Sequence, residues 1–265
     1  MRTMTAIKFL CILAAAAVVA PASVSALPLV DVEGAVGGWQ ASPSGNLAYE
    51  GTDNLGTDLD LEDDLGYDDE TDFTARLKIG MPLVIPNIYL MATPLEYEER
   101  STRTEKFEFG DKEFEAKEEF RSRLTLDHYD IGLFYNIPLL RGFTLNTLSV
   151  EAGLNARIID AEAVIEQEVS GTTRYEKKSG TIPVPMVYLG LGLQPLDRLG
   201  LEAEVRGISY SDYEILSLIG RLKVDAVGPV FVSGGYRYDA YDVEDDDLEI
   251  DLDFSGPFLE TGVDF

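Results

Sequence analysis

The chain contains one histidine, His128, and Asp130 follows two positions later. In an extended segment residues i and i+2 point to the same face, so imidazole and carboxylate would stand side by side. A carboxylate-oriented imidazole can serve as a general base. Such a base still needs a nucleophile or a second acid, and the sequence shows neither beside it. Asp127, although adjacent, would face the other way. The favoured reading of His128 and Asp130 is a structural contact in a polar interior, and no catalytic residue is assigned. A second candidate for chemistry is the acidic stretch 51–72, where Asp58, Asp60 and Glu62 have the i, i+2, i+4 spacing that opens an EF-hand loop. Its sixth position is Asp63, where that loop needs glycine for a sharp turn, so no metal site is assigned. Weak Ca2+ or Mg2+ binding to solvated acidic loops is the expectation, with no other cofactor. A glycine-rich phosphate loop ahead of a helix, a zinc-type ligand cluster and a nucleophile elbow are absent from the sequence.

The elements that must carry these residues are strands. The two most apolar stretches, 80–95 and 181–196, each hold three prolines, and a proline inside a helix costs about 3 kcal/mol. Period-two alternation runs through most of the remainder. Tyr129, Ile131, Leu133, Tyr135 and Ile137 alternate with His128, Asp130, Gly132, Phe134 and Asn136. Leu148, Val150, Ala152, Leu154, Ala156 and Ile158 alternate with Ser149, Glu151, Gly153, Asn155 and Arg157. Taking the polar face of each alternation gathers the acids Glu33, Asp130, Glu151, Glu202, Glu204, Asp225, Asp239 and Glu260. The same faces carry the bases Arg76, Lys78, Arg157, Arg206, Arg221, Lys223 and Arg237. Opposite signs in near balance suit an enclosed, poorly hydrated interior, where a lone charge is costly. A plug of salt bridges is one reading of this set, and a charge-selective pore or gate is the other.

Residues 1–26 read as an export signal, with Arg2 and Lys8 ahead of an apolar run at 9–20 and Val24-Ser25-Ala26 as the cleavage site. The only cysteine, Cys11, falls inside that signal, so residues 27–265 can form no disulfide. A formal net charge of −27 excludes nucleic acid as a partner. Ten acidic residues and no lysine or arginine lie between positions 53 and 72, a composition that reads as a solvated loop. Strands of about ten residues with one apolar face fit a tilted crossing of a bilayer. The expected fold is therefore all-β, a transmembrane antiparallel up-and-down β-barrel formed by residues 27–265 as one domain. A soluble sandwich would show the same alternation, but its polar face would not be built of glycines and matched charges. Short proline-bearing turns are expected at 82–86, 138–145, 195–199 and 228–229. Long connections are expected at 42–70, 99–119, 165–181 and 242–251, with a tight reversal at 211–214. These give ten strands, and eight or twelve stay open because the phase of 88–97 is ambiguous.

In the last eight residues, 258–265, Phe265, Val263, Thr261 and Leu259 share one face. An alternating strand closing on an aromatic resembles the C-terminal assembly signal of bacterial outer-membrane β-barrels, with Phe265 and Val263 as its key residues. Gly37-Gly38-Trp39, the acidic stretch 60–66 and Asp127-His128-Tyr129-Asp130 resemble an uncharacterised bacterial outer-membrane β-barrel family marked by an N-terminal Gly-Gly. That resemblance implies the barrel fold, an outer-membrane address and insertion by the barrel-assembly machinery, and it implies no activity. Export through a Sec-type signal to a Gram-negative outer membrane would make the bilayer and lipopolysaccharide its partners. The expected role is structural, or a narrow porin-like passage for small solutes or ions. The rival is an outer-membrane enzyme, lipid A-modifying or protease-like, centred on His128. The final strand should pair with the one beginning at Val30 and bring Glu260 within reach of Arg237. Deleting Phe265 is expected to lower the yield of assembled barrel, read as loss of the heat-modifiable band on a gel.

Overall fold

The computed structural model describes residues 30–52, 56–82, 84–137, 147–211, 213–245 and 248–265. The expected signal segment and the expected turn at 138–145 lie outside the described residues. The strands are β1 (Asp31–Tyr49), β2 (Leu59–Asp60), β3 (Glu70–Gly80), β4 (Asn87–Thr93), β5 (Glu96–Thr102), β6 (Phe107–Phe109) and β7 (Lys112–Phe114). They continue as β8 (Glu119–Asn136), β9 (Leu148–Val169), β10 (Thr172–Leu196), β11 (Leu199–Tyr210), β12 (Tyr213–Val227), β13 (Val230–Asp245) and β14 (Leu248–Asp264). Each wall strand pairs antiparallel with its sequence neighbour, and β14 pairs back onto β1 from Glu33↔Asp264 to Tyr49↔Leu248. Backbone bonds of 3.0 Å in both directions between Val32 and Phe265 finish that seam. The sheet is a closed barrel of ten strands, because β4 and β5 are two halves of one strand, both laid against β8.

Pro94 explains the break that made 88–97 hard to phase. Proline donates no ladder hydrogen bond, and the strand jogs at Pro94-Leu95. The Leu95 amide turns to the Asp127 carboxylate at 3.1 Å, and the Leu95 carbonyl accepts from the Leu126 amide at 2.9 Å. The ladder therefore resumes in register in β5.

From the lower to the upper section the inside–outside parity of the long strands holds, with register shifts only at the terminal rim at Leu193–Leu196 and Asp225–Val227, but the chemistry of the two faces exchanges part-way. In β8 the even residues face inward throughout. Near the termini they include the polar or small His128, Asp130 and Gly132 beside Phe134, while Ile131, Leu133 and Tyr135 are exposed outside. Further up, Phe120, Leu124 and Leu126 fill the inside, and Arg121 and Arg123 stand outside. β9 repeats this, with Leu154 exposed below and Asp160 and Glu162 outside above, where Ile159 and Ile165 are buried. A lower band with an apolar exterior suits hydrocarbon, and an upper section with an apolar interior is built as a water-soluble barrel is. The upper interior is a continuous core of Leu47, Leu59, Leu61, Leu65, Tyr67, Tyr97, Phe107, Phe109, Phe114, Phe120, Leu124 and Phe254. Phe107 stacks on Phe114 with ring centroids 4.9 Å apart, and the β6–β7 hairpin serves to deliver these rings.

This upper section corrects the expected loops. The stretches 165–181 and 242–251 are mostly strand, with β9 and β10 joined by a two-residue turn at Ser170-Gly171. Both turn residues have positive φ, 51° and 79°, as a type I′ hairpin requires. Likewise β1 runs eight residues into the expected loop that began at position 42. Charge alone did not mark loops here, because in water a strand's outer face is properly charged. Lys177 Nζ and Arg123 Nη2 reach Glu162 at 2.6 and 2.8 Å across three strands. The Lys177 bond, helped by Arg123, holds the Glu162 carboxyl below its ordinary range.

The two zones predict opposite tolerances on one face of β8. Leu133→Arg should destabilise the vesicle-embedded barrel by about 2–4 kcal/mol. Thr125→Arg, in the same parity but above the apolar band and opposite Glu96 and Glu162, should be near neutral. Urea titration of tryptophan fluorescence reads both.

Candidate functional site

The lumen of the lower barrel is occupied by two stacked layers of charged side chains. In the layer nearer the termini Glu33 bridges Arg76 and Lys223, with Lys223 Nζ 2.6 Å from its carboxylate. Lys223 also reaches Asp264 at 2.7 Å. Glu260 Oε1 lies 2.9 Å from Arg76 Nε and 2.9 Å from Arg221 Nε, and accepts from Ser233 Oγ at 2.7 Å. Arg221 Nη1 continues to Glu202 and Glu204 at 2.9 and 3.0 Å. Glu204 is shared with Arg206 at 2.7 Å and Lys78 at 3.4 Å, and Lys78 ends on Glu151 at 3.1 Å. Aromatic faces take the guanidinium surface that oxygen does not reach: Arg206 lies 4.5 Å from the Tyr89 ring centroid and 5.2 Å from that of Tyr188.

Glycines make these long reaches possible. Gly37 on β1 sits between Glu260 on β14 and Thr74 on β3. A Cβ there would lie 2.2 Å from the Leu259 carbonyl and 2.7 Å from the Glu260 Cβ. Without a side chain at 37, Glu260 passes over β1 to Arg76 two strands away.

The second layer holds the histidine. Arg157 grips Asp130 with two parallel bonds of 3.0 Å, a geometry that fixes a carboxylate firmly. Asn155 adds a bond of 2.6 Å to the same carboxylate. Arg157 Nη1 donates to Tyr241 OH at 3.2 Å. Arg237 donates to Thr93 at 2.8 Å and Asp239 at 2.6 Å, and lies 4.3 Å from the Trp39 ring centroid. His128 is wholly buried; its Nδ1 lies 3.1 Å from the Leu126 carbonyl and its Nε2 2.8 Å from Arg237 Nη2. An arginine only donates, so Nε2 is the acceptor and Nδ1 carries the proton. The lone pair that a general base needs is engaged with a guanidinium.

The structure thus places Glu33, Arg76, Lys78, Asp130, Glu151, Arg157, Glu202, Glu204, Arg206, Arg221, Lys223, Arg237, Asp239 and Glu260 in the lumen network. Three expectations are corrected. Asp130 does not orient His128, because Arg157 and Asn155 hold it and the Leu126 carbonyl does the orienting. Glu260 meets Arg76 and Arg221 rather than Arg237, because the β13–β14 register sets Arg237 opposite Gly256, four residues higher. Asp225 has inward parity but lies half-buried near the terminal rim, beyond any ion pair among the described residues. Sequence reasoning missed Asp264, Asn155, Tyr241, Thr93 and Trp39. All but Thr93 continue an inward parity already in hand; Thr93 lay in the stretch of ambiguous phase.

The acidic stretch forms no cation cage. Asp60 Oδ1 accepts from the Glu62 and Asp63 amides at 2.9 and 2.7 Å, and Asp58 accepts from Asn46 Nδ2 at 2.9 Å. Among the described residues no group of three or more metal-type ligands converges. Leu59, Leu61, Leu65 and Tyr67 alternate with these acids and dip into the upper core.

No protein-family profile matches the chain, and no curated protein does. Several solved structures are similar. One is the outer membrane protease OmpT from Escherichia coli, at 10% identity over 89% of this chain and 96% of that chain, TM-score 0.46. Another is the translocator domain of the autotransporter NalP from Neisseria meningitidis, at 14% over 89% and 88%, TM-score 0.43. A third is Ail, the attachment invasion locus protein of Yersinia pestis, at 9% over 89% and 99%, TM-score 0.36. The β14–β1 ladder, rather than these likenesses, establishes closure of the barrel.

Removing one side of the buried pair should expose its cost. Asp130→Leu should lose about 3–5 kcal/mol by stranding Arg157, and Arg157→Met added to it should recover most of that loss. Denaturation midpoints of the two variants in one detergent provide the comparison.

Proposed function

We propose that the protein is an integral outer-membrane barrel of structural role, exported by residues 1–26 and closed to solutes by its own side chains. Its long upper section would stand in water beyond the lipopolysaccharide headgroups and present an acidic surface there. The observation that carries this reading is the shared use of Glu260 by Arg76 and Arg221, and of Glu204 by Arg206, Arg221 and Lys78. Charges joined from wall to wall, with the apolar core at the end above them, support a lumen without a column of water. A cavity of about 10 Å3 within that core is room for a single water. Assembly by the barrel-assembly machinery belongs to this reading, supported by the closure of the barrel through the β14–β1 seam.

A passage for small ions would need the charged layers to part. Purified protein in planar bilayers should therefore be silent, and discrete conductance steps from the unaltered chain would overturn the proposal. Replacing Arg76, Arg221 and Glu260 together by serine should produce brief steps.

A further inference from the structure

The wall has a lateral gap at the top of the lower, apolar-faced band. The β10–β11 ladder ends at Val187↔Gly207, while the β11–β12 hairpin continues to Tyr210↔Tyr213 and β10 stays paired with β9 up to Thr172↔Val169. Pro183 and Pro185 lie in β10 just past the last β11 rung. Their equal parity puts both missing donors on one side of the strand. Between β10 and the hairpin lies an open cleft of about 550 Å3, within the ~300–1,000 Å3 of small-ligand pockets. Pro185, Val187, Ile208 and Leu216 form its sides. Its floor is Met186 and Ile215, 2% and 4% exposed, which belong to the interior core. Methionine there is a side chain that re-packs readily. The polar pair Ser209–Glu214, bonded at 3.2 Å, lines the cleft beside the hairpin tip, where Tyr210 and Tyr213 are exposed.

We propose that this cleft binds one acyl chain of an outer-leaflet lipid, drawn from the surrounding bilayer, with its headgroup end at Ser209 and Glu214. The surroundings choose the occupant. The cleft opens among outward apolar side chains, Leu154 at 69% and Val187 at 55% exposure, so the medium at its mouth is hydrocarbon. Its lining is apolar from mouth to floor, and polar groups stand only at the end where aromatic residues mark an interface. The inference rests on the membrane reading of the lower band, and the experiment separates the two.

The protein is refolded into vesicles of phosphatidylcholine carrying a diazirine midway along one acyl chain, irradiated, and mapped by peptide mass spectrometry. Label is expected on Met186 or Ile215 as well as on outward-facing Val187 and Leu191. Label on Val187 and Leu191 alone overturns the cleft. Absence of label from all four overturns the membrane reading itself. Ile208→Trp, which fills the cleft, should abolish labelling of Met186 and Ile215 and leave Val187 labelled, with heat-modifiable mobility confirming the fold. Unchanged floor labelling in that variant would overturn entry by this route. Floor labelling that rises as the protein is diluted among vesicles would assign the cleft to a second copy of the chain instead.

Discussion

Glu260 cannot be ionised inside a barrel on its own, and much of the lower half is arranged around that fact. It lies on β14, and its two guanidinium partners come from β3 and β12, each two strands away on opposite sides. A bridge of this span acts as a cross-tie between wall segments that no backbone ladder connects. It demands small residues on the strands between, met by Gly37 on β1 and Ser233 on β13. A buried ion pair is weak evidence for net stability, since desolvation opposes the attraction. What the shared carboxylates supply is a fixed arrangement of the wall strands, since losing any member leaves an opposite charge stranded.

The second organising constraint is that one molecule faces two solvents. The barrel keeps its strand parity across the boundary and changes only which face is apolar. In β14 the inward set passes from Glu260 to Phe254 and Leu252, while outside Leu259 gives way to Asp253 and Asp251. The Trp39–Arg237–His128 layer sits between the Glu260–Glu204 layer and the apolar core. Such side chains suit a transition layer, since each has an apolar body and a polar tip.

Parity was legible in the sequence because period two is a local property. It assigned the inward face for Glu33 through Glu260 and for His128, while closure of a ten-strand barrel put the final strand beside the first. Which inward residues touch was not legible, since that depends on the stagger of neighbouring strands. Hence Arg237 was assigned to Glu260 and found on Asp239, His128 and Thr93. The upper barrel was misread for a different reason. Its charged outer face at 165–181 and 242–251 looked like loop although it is strand, whereas the acidic stretch before β3 is a connection apart from β2, with Leu59, Leu61, Leu65 and Tyr67 buried in the upper core. The lateral cleft was also out of reach, although Pro183 and Pro185 marked the strand that borders it.

The β9–β10 hairpin leaves Thr172 to Met186 of β10 bonded by a ladder on one side only among the described residues. A strand edge of fifteen residues without a second ladder is a template for adding a foreign strand, which is how sheets polymerise. Here the edge is defended by sequence. Pro183 and Pro185 interrupt the donor row near the bilayer, and in its watery half the outward Lys177 is paired with Glu162 while Lys178 turns inward over the Tyr49 ring. A foreign strand adding at this edge would meet two missing donors beside the bilayer-facing half.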